Sequence, residues 1–334
     1  MPSRRRALAV LAALLGLAAG CLLLALTAGT LPVGIADLAT ALGGGSGGLA
    51  VEVIQGLRLP RALAAFACGG LLALSGALMQ VLLRNPLADP YVLGISGGAA
   101  VGALAAMLAG ASLLLTGTAS FAGALATMLL VFGLAHGDSS WTRSRLLLTG
   151  VIVASGCGAI VALILSIAPG DGLRGMVFWL MGDLGHAVAP WPALAVLGAG
   201  LMLTLPFARE LNLLARGDLL ARSLGVAVDP VKHGVYLLAS LLTAVAVTTA
   251  GSIGFIGLVV PHLVRLAMLR LGWGNDQRLL LPAAALVGGS LLVLADTLAR
   301  TAIAPQQLPV GVLTALIGVP VFLFLLAREP RRTE

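Results

Sequence analysis

The chain has 334 residues, of which 59% are hydrophobic and 10% are charged, and its mean hydropathy is +1.07. Charged residues make up about a quarter of an ordinary water-soluble domain, so this composition excludes that class of protein. One membrane span needs about 20 apolar residues, and the apolar fraction is enough for about ten spans. We therefore predict an all-α, polytopic membrane protein that forms one domain over residues 1–334.

Ten apolar stretches, separated by charged or proline- and glycine-rich breaks, predict ten membrane-spanning helices. The first stretch, 7–28, is too long for the core of a typical signal peptide, so we interpret it as an uncleaved span. The other nine are expected at 62–82, 91–109, 117–135, 146–168, 189–207, 234–250, 255–269, 279–299 and 309–327.

Prolines mark several of the predicted helix boundaries. Asp89 is expected to cap the third span and Pro90 to open it. Pro282 and Pro309 are expected to open the ninth and tenth spans in the same way, whereas Pro261 falls inside an apolar stretch and predicts a kink. The 44 glycines suit close packing between helices in a membrane.

The basic residues are distributed unequally between the two sides of the predicted membrane. If Arg4–Arg6 stay in the cytoplasm, sixteen of the 20 Lys and Arg residues fall on the cytoplasmic side, and Arg58, Arg61, Arg174 and Arg300 fall outside. The positive-inside rule requires this asymmetry, so both termini are expected in the cytoplasm. The net charge of +7 then reflects topology, and no nucleic-acid partner is expected.

Two ways of driving transport would leave recognisable residues. A phosphate-binding P-loop requires Gly-Lys-Ser/Thr, but the only lysine, Lys232, lies in Asp-Pro-Val-Lys-His, so any ATP must be hydrolysed by a separate subunit. A proton- or sodium-coupled carrier usually has an ionisable residue near the middle of a span. Asp296 comes nearest to that position, but an i,i+4 pair with Arg300 accounts for it, so ion coupling is disfavoured.

Gly94-Ile95-Ser96-Gly97 matches the short serine motif of intramembrane proteases, with His262 as a conceivable base. In a chain with 44 glycines such a motif arises readily by chance, so we favour a role for Ser96 in helix approach or in lining a path. The three cysteines and four histidines have no metal-ligand spacing. No catalytic residue, bound cofactor or metal site is expected.

The connection between the sixth and seventh predicted spans has its own pattern. LNLLARG ends at Gly217 and DLLARSLG ends at Gly225, which predicts two short amphipathic helices with Asp218 as the cap of the second. Such helices form either a docking surface or a connector that lies on the membrane.

Three of the four outward arginines, Arg58, Arg61 and Arg300, lie at the ends of predicted spans. Guanidinium groups at such positions bind carboxylates of an external protein. The alternative is that they extend to lipid headgroups.

Six segments together resemble the FecCD family of bacterial ABC-importer permeases, whose members carry iron-siderophores, cobalamin or haem. The segments are RLPRALAAFACGGLLALSGALMQ (58–80), RNPLADPYVLGISGGAAVGA (84–103), LNLLARGDLLARSLGV (211–226), GSIGFIGLVVPHLVR (251–265), LLPAAALVGGSLLVLADTLAR (280–300) and LPVGVLTALIGVP (308–320). They occur in the family's order over nearly the whole chain, so the match is specific.

The resemblance implies a ten-span permease of the bacterial inner membrane that pairs with a second copy, binds two cytoplasmic ATP-binding subunits and receives a metal chelate from a periplasmic substrate-binding protein. Arg58, Arg61 and Arg300 match arginines that meet acidic residues of that binding protein. The segment 211–226 matches the family's coupling helices, with Leu211, Leu214, Gly217, Asp218, Ala221, Leu224 and Gly225 as candidate contacts. Asn85 and Leu87 match gate positions, Arg143 and Ser144 match a second gate loosely, and Ser96 is a candidate for the path.

The expected mechanism is alternating access of a cavity between two permease copies. NPLADPYVLGISGG is nearer to siderophore and cobalamin permeases than to haem permeases, so one of those two chelates is the expected cargo. The outer loop 169–187 varies among family members, and Arg174 or His186 near the entrance keeps haem as an alternative. An ion-coupled secondary transporter is the less favoured alternative.

Overall fold

The computed structural model describes residues 4–135, 143–185 and 189–328, and no strand occurs in these ranges. The described helices are α1 (Arg4–Thr27), α2 (Ile35–Leu42), α3 (Leu49–Val53), α4 (Leu59–Leu83), α5 (Ile95–Leu108), α6 (Leu113–Ala135), α7 (Arg143–Ile167), α8 (Gly170–Leu180), α9 (Trp191–Thr204), α10 (Ala208–Arg216), α11 (Asp218–Ser223), α12 (Val228–Ala250), α13 (Ile256–Arg270), α14 (Gln277–Thr301) and α15 (Val310–Arg328). A π-helical turn (Ile54–Arg58) joins α3 to α4, and a 3₁₀ turn (Pro90–Leu93) precedes α5.

Many of these helices are long and apolar enough to cross a bilayer. Six described stretches have the required length: Arg4–Thr27, Leu49–Leu83, Leu113–Ala135, Ser144–Ile167, Val228–Ala250 and Gln277–Thr301. α9 and α10 meet at 70° and make a seventh if they form one broken span, while α5 and α15 are apolar but shorter. Every predicted stretch falls on a helix, so the all-α, polytopic class is confirmed, whereas the count of ten spans stays a prediction.

α4 is the central helix of the fold because it is buried on every side. Nearly all of its residues are inaccessible, and it packs against α14, α12, α13 and α9. Small residues permit this: a Cβ on Gly69 would overlap the carbonyl of Gly288 in α14, and one on Gly76 would overlap that of Gly257 in α13. The predicted packing of helices at glycine is therefore confirmed.

α5 begins where two non-helical segments meet. It has 14 residues, which makes it about 21 Å long, less than the ~30 Å hydrocarbon core. The Tyr91 hydroxyl accepts a hydrogen bond from the Ile253 N–H at 3.0 Å, and the hydroxyls of Ser96 and Ser252 lie 2.9 Å apart. The segment 251–255, between α12 and α13, thus lies against the first turn of α5, and hydroxyl groups satisfy part of the interrupted backbone.

Contacts between the connecting segments define two faces of the molecule. On the first, which we call the basic face, the end of α4 meets the α10–α11 segment and the start of α12, through Arg84 and Asp218. On the other, which we call the opposite face, the start of α4 meets the ends of α1 and α14, through Arg58 and Asp296 among others.

The structure contains three helices that the sequence did not predict. α2 and α3 lie in the predicted connection 29–61, and α8 lies in the predicted loop 169–187. Each is short; Gly34 and Gly48 directly precede α2 and α3, and Gly170 is the first residue of α8. Short amphipathic segments between such breaks lack the long apolar run that identifies a span.

Proline positions agree with the structure in part. Pro309 directly precedes α15 as predicted. Pro282 lies inside α14 and does not open it, because the Asp276 carboxylate caps the helix earlier by accepting a hydrogen bond from the Arg278 N–H at 3.0 Å. Asp89 caps as predicted, but the element it begins is the 3₁₀ turn.

Large apolar side chains project outward from α1, α7 and α15. Leu15, Leu163 and Leu323 are each about 60% exposed, at 61%, 60% and 59%. Contiguous apolar surface of this kind is typical of contact with lipid or with another protein. These helices therefore form the outer boundary of the chain.

Candidate functional site

A cavity of about 1000 Å³ opens on the opposite face, between the beginning of α6, the end of α12 and α8. This volume is at the upper end of the range for sites that hold drug-sized ligands. Its charged and aromatic lining residues are Asp171, Arg174, Asp183, Phe121, Phe178 and Trp179. The cavity thus combines apolar walls with a few charged groups of both signs.

α8 supplies much of the cavity wall. The Arg174 guanidinium carbon lies 5.5 Å from the centre of the Phe178 ring, a cation–π distance that holds the charge over an apolar surface. His186, the other predicted entrance residue, lies outside the described residues. Among the described residues no group of three His, Cys, Asp or Glu side chains is placed to hold a metal ion.

The floor of the cavity joins α8 to α12. The Asp183 N–H donates to the Ala250 carbonyl at 2.9 Å. Gly251 follows with φ +68°, and a Cβ there would overlap the Trp179 carbonyl. The neighbouring Ser252 bonds to Ser96, so the predicted path residue lies directly behind this floor. Its hydroxyl is engaged with another serine, which supports its role in helix approach.

Arg58 is buried rather than outward-facing, with 6% of its surface exposed. Its guanidinium donates to the carbonyls of Leu26 at 2.7 Å, Thr27 at 3.2 Å and Leu31 at 2.7 Å. These are acceptors at and beyond the C-terminus of α1, where helical carbonyls lack intrahelical partners. The expectation that Arg58 presents its charge to an external protein is not met, because that charge is used to fix the end of α1.

Arg61 and Asp296 form a bidentate ion pair on the opposite face. The Arg61 Nη2 lies 2.9 Å from Asp296 Oδ1, with side-chain exposures of 13% and 3%, and Arg61 Nη1 donates to Gln307 Oε1 at 2.8 Å. Arg300 Nε is 3.9 Å from Asp296, and Arg300 also donates to the Ala25 carbonyl. The i,i+4 partner proposed for Asp296 is therefore secondary to Arg61.

The apolar residues of the coupling segment on the basic face divide into a buried group and an exposed group. Leu211, Leu214 and Ala221 are buried and attach the segment to the helix bundle. The exposed apolar residues of the segment are Leu219 at 84%, Leu220 at 42% and Leu224 at 49%. Sequence reasoning missed Leu219 and Leu220, although their place beside Asp218 in a short amphipathic helix was a usable signal.

Two glycines terminate the coupling helices. Gly217 ends α10 with φ +137° and Gly225 follows α11 with φ +82°, conformations that non-glycine residues rarely adopt. Asp218 is the first residue of α11, but it makes no capping hydrogen bond. Its carboxylate instead pairs with Arg84 and with Lys232, the latter at 2.6 Å. The predicted capping role of Asp218 is therefore wrong.

The predicted gate residues lie at the beginnings and ends of helices on the basic face. Asn85 is exposed just after α4, and its side-chain oxygen accepts from the Leu87 N–H at 2.9 Å, forming a tight turn. Ser144 is exposed in the first turn of α7, and the Arg143 side chain lies outside what is described. The 3₁₀ turn that follows Leu87 packs against α7.

A polytopic helical bundle with a large mixed-polarity cavity on one face and an exposed amphipathic helix pair on the other has the architecture of a membrane transport subunit. The chain belongs to the FecCD transport family, whose model matches residues 16–328.

Three permeases illustrate the similarity. The cobalamin import system permease of Halobacterium salinarum is 42% identical over 289 residues, which cover 84% of this chain and 75% of that protein. The hemin transport system permease of Yersinia pestis is 42% identical over 286 residues, with 82% of each chain covered. The vitamin B12 import system permease of Escherichia coli is 39% identical over 280 residues, with coverage of 82% and 83%.

Two solved structures share the fold. One, described as an inward-facing metal-chelate type ABC transporter, superposes with a TM-score of 0.81 at 31% identity and covers 97% of this chain and all of that one. PsaBC from Streptococcus pneumoniae superposes with a TM-score of 0.54 at 20% identity, which is a likeness of fold alone. The chain is thus a permease subunit of the metal-chelate, vitamin B12 and haem type of ABC importer, and not an enzyme, because ATP hydrolysis belongs to a separate subunit.

Proposed function

We propose that this permease carries cobalamin or an iron-siderophore across the bacterial inner membrane by alternating access, with both termini in the cytoplasm. The observation that carries the proposal is the cavity of about 1000 Å³ on the face opposite the coupling helices. A loaded binding protein delivers the chelate there, and an ATP-binding subunit on the other face drives its release. The unequal distribution of arginine supports this orientation.

The cavity lining favours a cargo that is recognised through its outer surface. Phe121, Phe178 and Trp179 offer apolar contact, while Asp171 and Arg174 offer charges of both signs. A chelate whose metal is already saturated by its own ligands needs contacts of this kind and no ligands from the protein. Relatives named for cobalamin import support that cargo.

Haem is the second candidate cargo, and two observations support it. Arg174 lies in the cavity and has the charge to pair with a carboxylate-bearing cargo such as haem. The similarity to a hemin permease gives independent support.

A direct measurement separates these cargoes. The cognate binding protein is purified without added ligand, and its affinities for cobalamin, a ferric siderophore and haem are measured by calorimetry. We expect cobalamin or the siderophore to bind at least about 100-fold more tightly than haem, a difference of about 2.7 kcal/mol. Preferential binding of haem would transfer the assignment to the second candidate.

We propose that a second copy of the chain packs against α7. Its exposed middle carries Ser155, Gly156, Gly158 and Ala159, and nothing lies within 4 Å of a Cβ placed on either glycine. Small residues at the surface of a membrane helix permit close approach of another helix.

Docking of the binding protein is proposed at the opposite face, around Arg61 and Arg300. Together with Arg58 they place three positive charges beside the single negative charge of Asp296. The resulting net charge of +2 attracts acidic groups of a partner and orients their approach. Arg61 and Arg300 are the candidates for direct contact, and Arg58 acts by holding the end of α1 in place.

On the basic face, we propose that α10 and α11 enter grooves of two ATP-binding subunits. Leu219, Leu220 and Leu224 form the apolar contact surface. Movement there opens and closes a gate that includes Asn85 and Leu87, with Arg143 and Ser144 as its second part and Ser96 along the path. These roles accord with the positions of the residues at the helix boundaries.

A further inference from the structure

The coupling helices and the gate segment are joined by a cluster of three charged side chains. Asp218, the first residue of α11, pairs through Oδ1 with Arg84 and through Oδ2 with Lys232 Nζ at 2.6 Å. Arg84 Nε also donates to the Leu214 carbonyl of α10 at 3.2 Å. One arginine at the end of α4 is thus bonded to both coupling helices.

The backbone at Arg84 makes this connection direct. Arg84 ends α4 with φ +47° and ψ +37°, a left-handed conformation that is uncommon for residues other than glycine and persists only when its surroundings fix it. Asn85, the first predicted gate residue, follows immediately. Displacement of α11 therefore acts on the peptide that begins the gate segment.

We propose that Asp218 is a positioning residue that transmits movement of α10 and α11 to the gate segment 85–87 through Arg84, while Lys232 ties the same carboxylate to α12. This inference rests on the proposed function. Asp218 and the single lysine of the chain thus have a mechanical role inside the permease. This role is separate from any direct contact with an ATP-binding subunit.

The cluster of Arg84, Asp218 and Lys232 is more deeply buried than the neighbouring ion pair of Arg222 and Asp229. This burial suits the cluster, and not the exposed pair, to transmit force. Side-chain exposures are 22% for Arg84, 35% for Asp218 and 8% for Lys232. Arg222 and Asp229 pair at 2.8 Å in the same region, but with exposures of 56% and 57%. Exposed pairs contribute little, whereas partly desolvated pairs are screened much less by salt. Asp229 is therefore a matched control for Asp218.

The test compares Asp218→Asn with Asp229→Asn in proteoliposomes that contain the permease and its ATP-binding subunit. Uptake per ATP hydrolysed is measured with the loaded binding protein present. We expect Asp218→Asn to retain ATP hydrolysis but to lower uptake per ATP by about tenfold, the equivalent of one lost charge-assisted contact. Asp229→Asn should match the wild type, and Asp218→Glu, which keeps the charge, should recover part of the ratio.

An unchanged ratio in Asp218→Asn, or an equal loss in both Asn variants, would overturn the proposal. If Asp218→Asn does not fold, Arg84→Gln removes the guanidinium through which the movement is transmitted, and an unchanged ratio in that variant overturns the proposal equally. Failure of the proposed function has a different signature, because the wild-type protein itself would then show no uptake that depends on ATP.

Discussion

At the scale of single residues, the partner of Asp296 bears on whether transport is coupled to an ion or driven by ATP. A carboxylate inside a membrane helix is usually functional, and in a carrier it often binds the coupling ion. Here Arg61 holds both oxygens of Asp296, at 2.9 to 3.1 Å. A carboxylate fixed by a bidentate guanidinium is a structural anchor between α4 and α14, and this disfavours ion coupling.

Removing that carboxylate is predicted to destabilise the protein. Asp296→Ala leaves the Arg61 charge without its partner, and breaking a buried pair in this way costs about 3–5 kcal/mol. Thermal unfolding in detergent should show a clearly lower midpoint. Asp171→Ala, at an exposed position of α8, is the control and should unfold like the wild type. Equal midpoints for both variants would contradict the structural role of Asp296.

At the scale of helices, glycine determines how closely α4 approaches its neighbours. Gly69 faces the backbone of α14, so an added methyl group meets the Gly288 carbonyl and the Leu292 Cβ. Gly133 in α6 is the contrasting case, because it is exposed and nothing lies within 4 Å of a Cβ there.

Replacing each of these two glycines by alanine should have different effects on the stability of the protein. Gly69→Ala is expected to destabilise by about 1–3 kcal/mol, the usual range for overpacking. Gly133→Ala is expected to be neutral or to stabilise by up to about 1 kcal/mol, because alanine is the better helix former. Thermal unfolding of both variants in the same detergent measures this. A Gly69→Ala variant as stable as the wild type would refute the packing of α4 against α14.

The sequence predicted the long helices and the short amphipathic pair α10 and α11, but not α2, α3 and α8. Runs of apolar residues identify spans whatever their neighbours, so α12 and α14 fall where expected. α2, α3 and α8 are short, and tertiary contacts rather than local pattern stabilise helices of that length. Of the site, the motifs indicated Arg61 and Asp218, but not their partners, because an ion pair 235 residues apart in sequence leaves no local signal.

At the scale of the whole molecule, the proposed second copy of the chain would pack on the outer surface of the helix bundle. The helices that expose the most apolar surface are at its boundary, and α7 adds a central patch of small residues to that surface. Small residues at such a surface permit the close approach of a second helix.

A bulky side chain in that patch is predicted to prevent pairing of two copies. Gly158→Leu should shift the protein from dimer to monomer in detergent, as measured by native mass spectrometry, because it blocks close approach of the partner helix. Gly133→Leu in α6, where nothing lies within 4 Å of the added Cβ and the neighbouring side chains are bulky, should leave the dimer intact. A dimer that persists in both variants would place the contact elsewhere.

We propose that ATP hydrolysed by a separate subunit drives uptake of a chelate through this chain. The most direct measurement is uptake of labelled cobalamin or ferric siderophore into proteoliposomes that contain the permease and its ATP-binding subunit. We expect uptake only when ATP and the loaded binding protein are both present, with no effect of a proton gradient. Uptake driven by a proton gradient in the absence of ATP would contradict it.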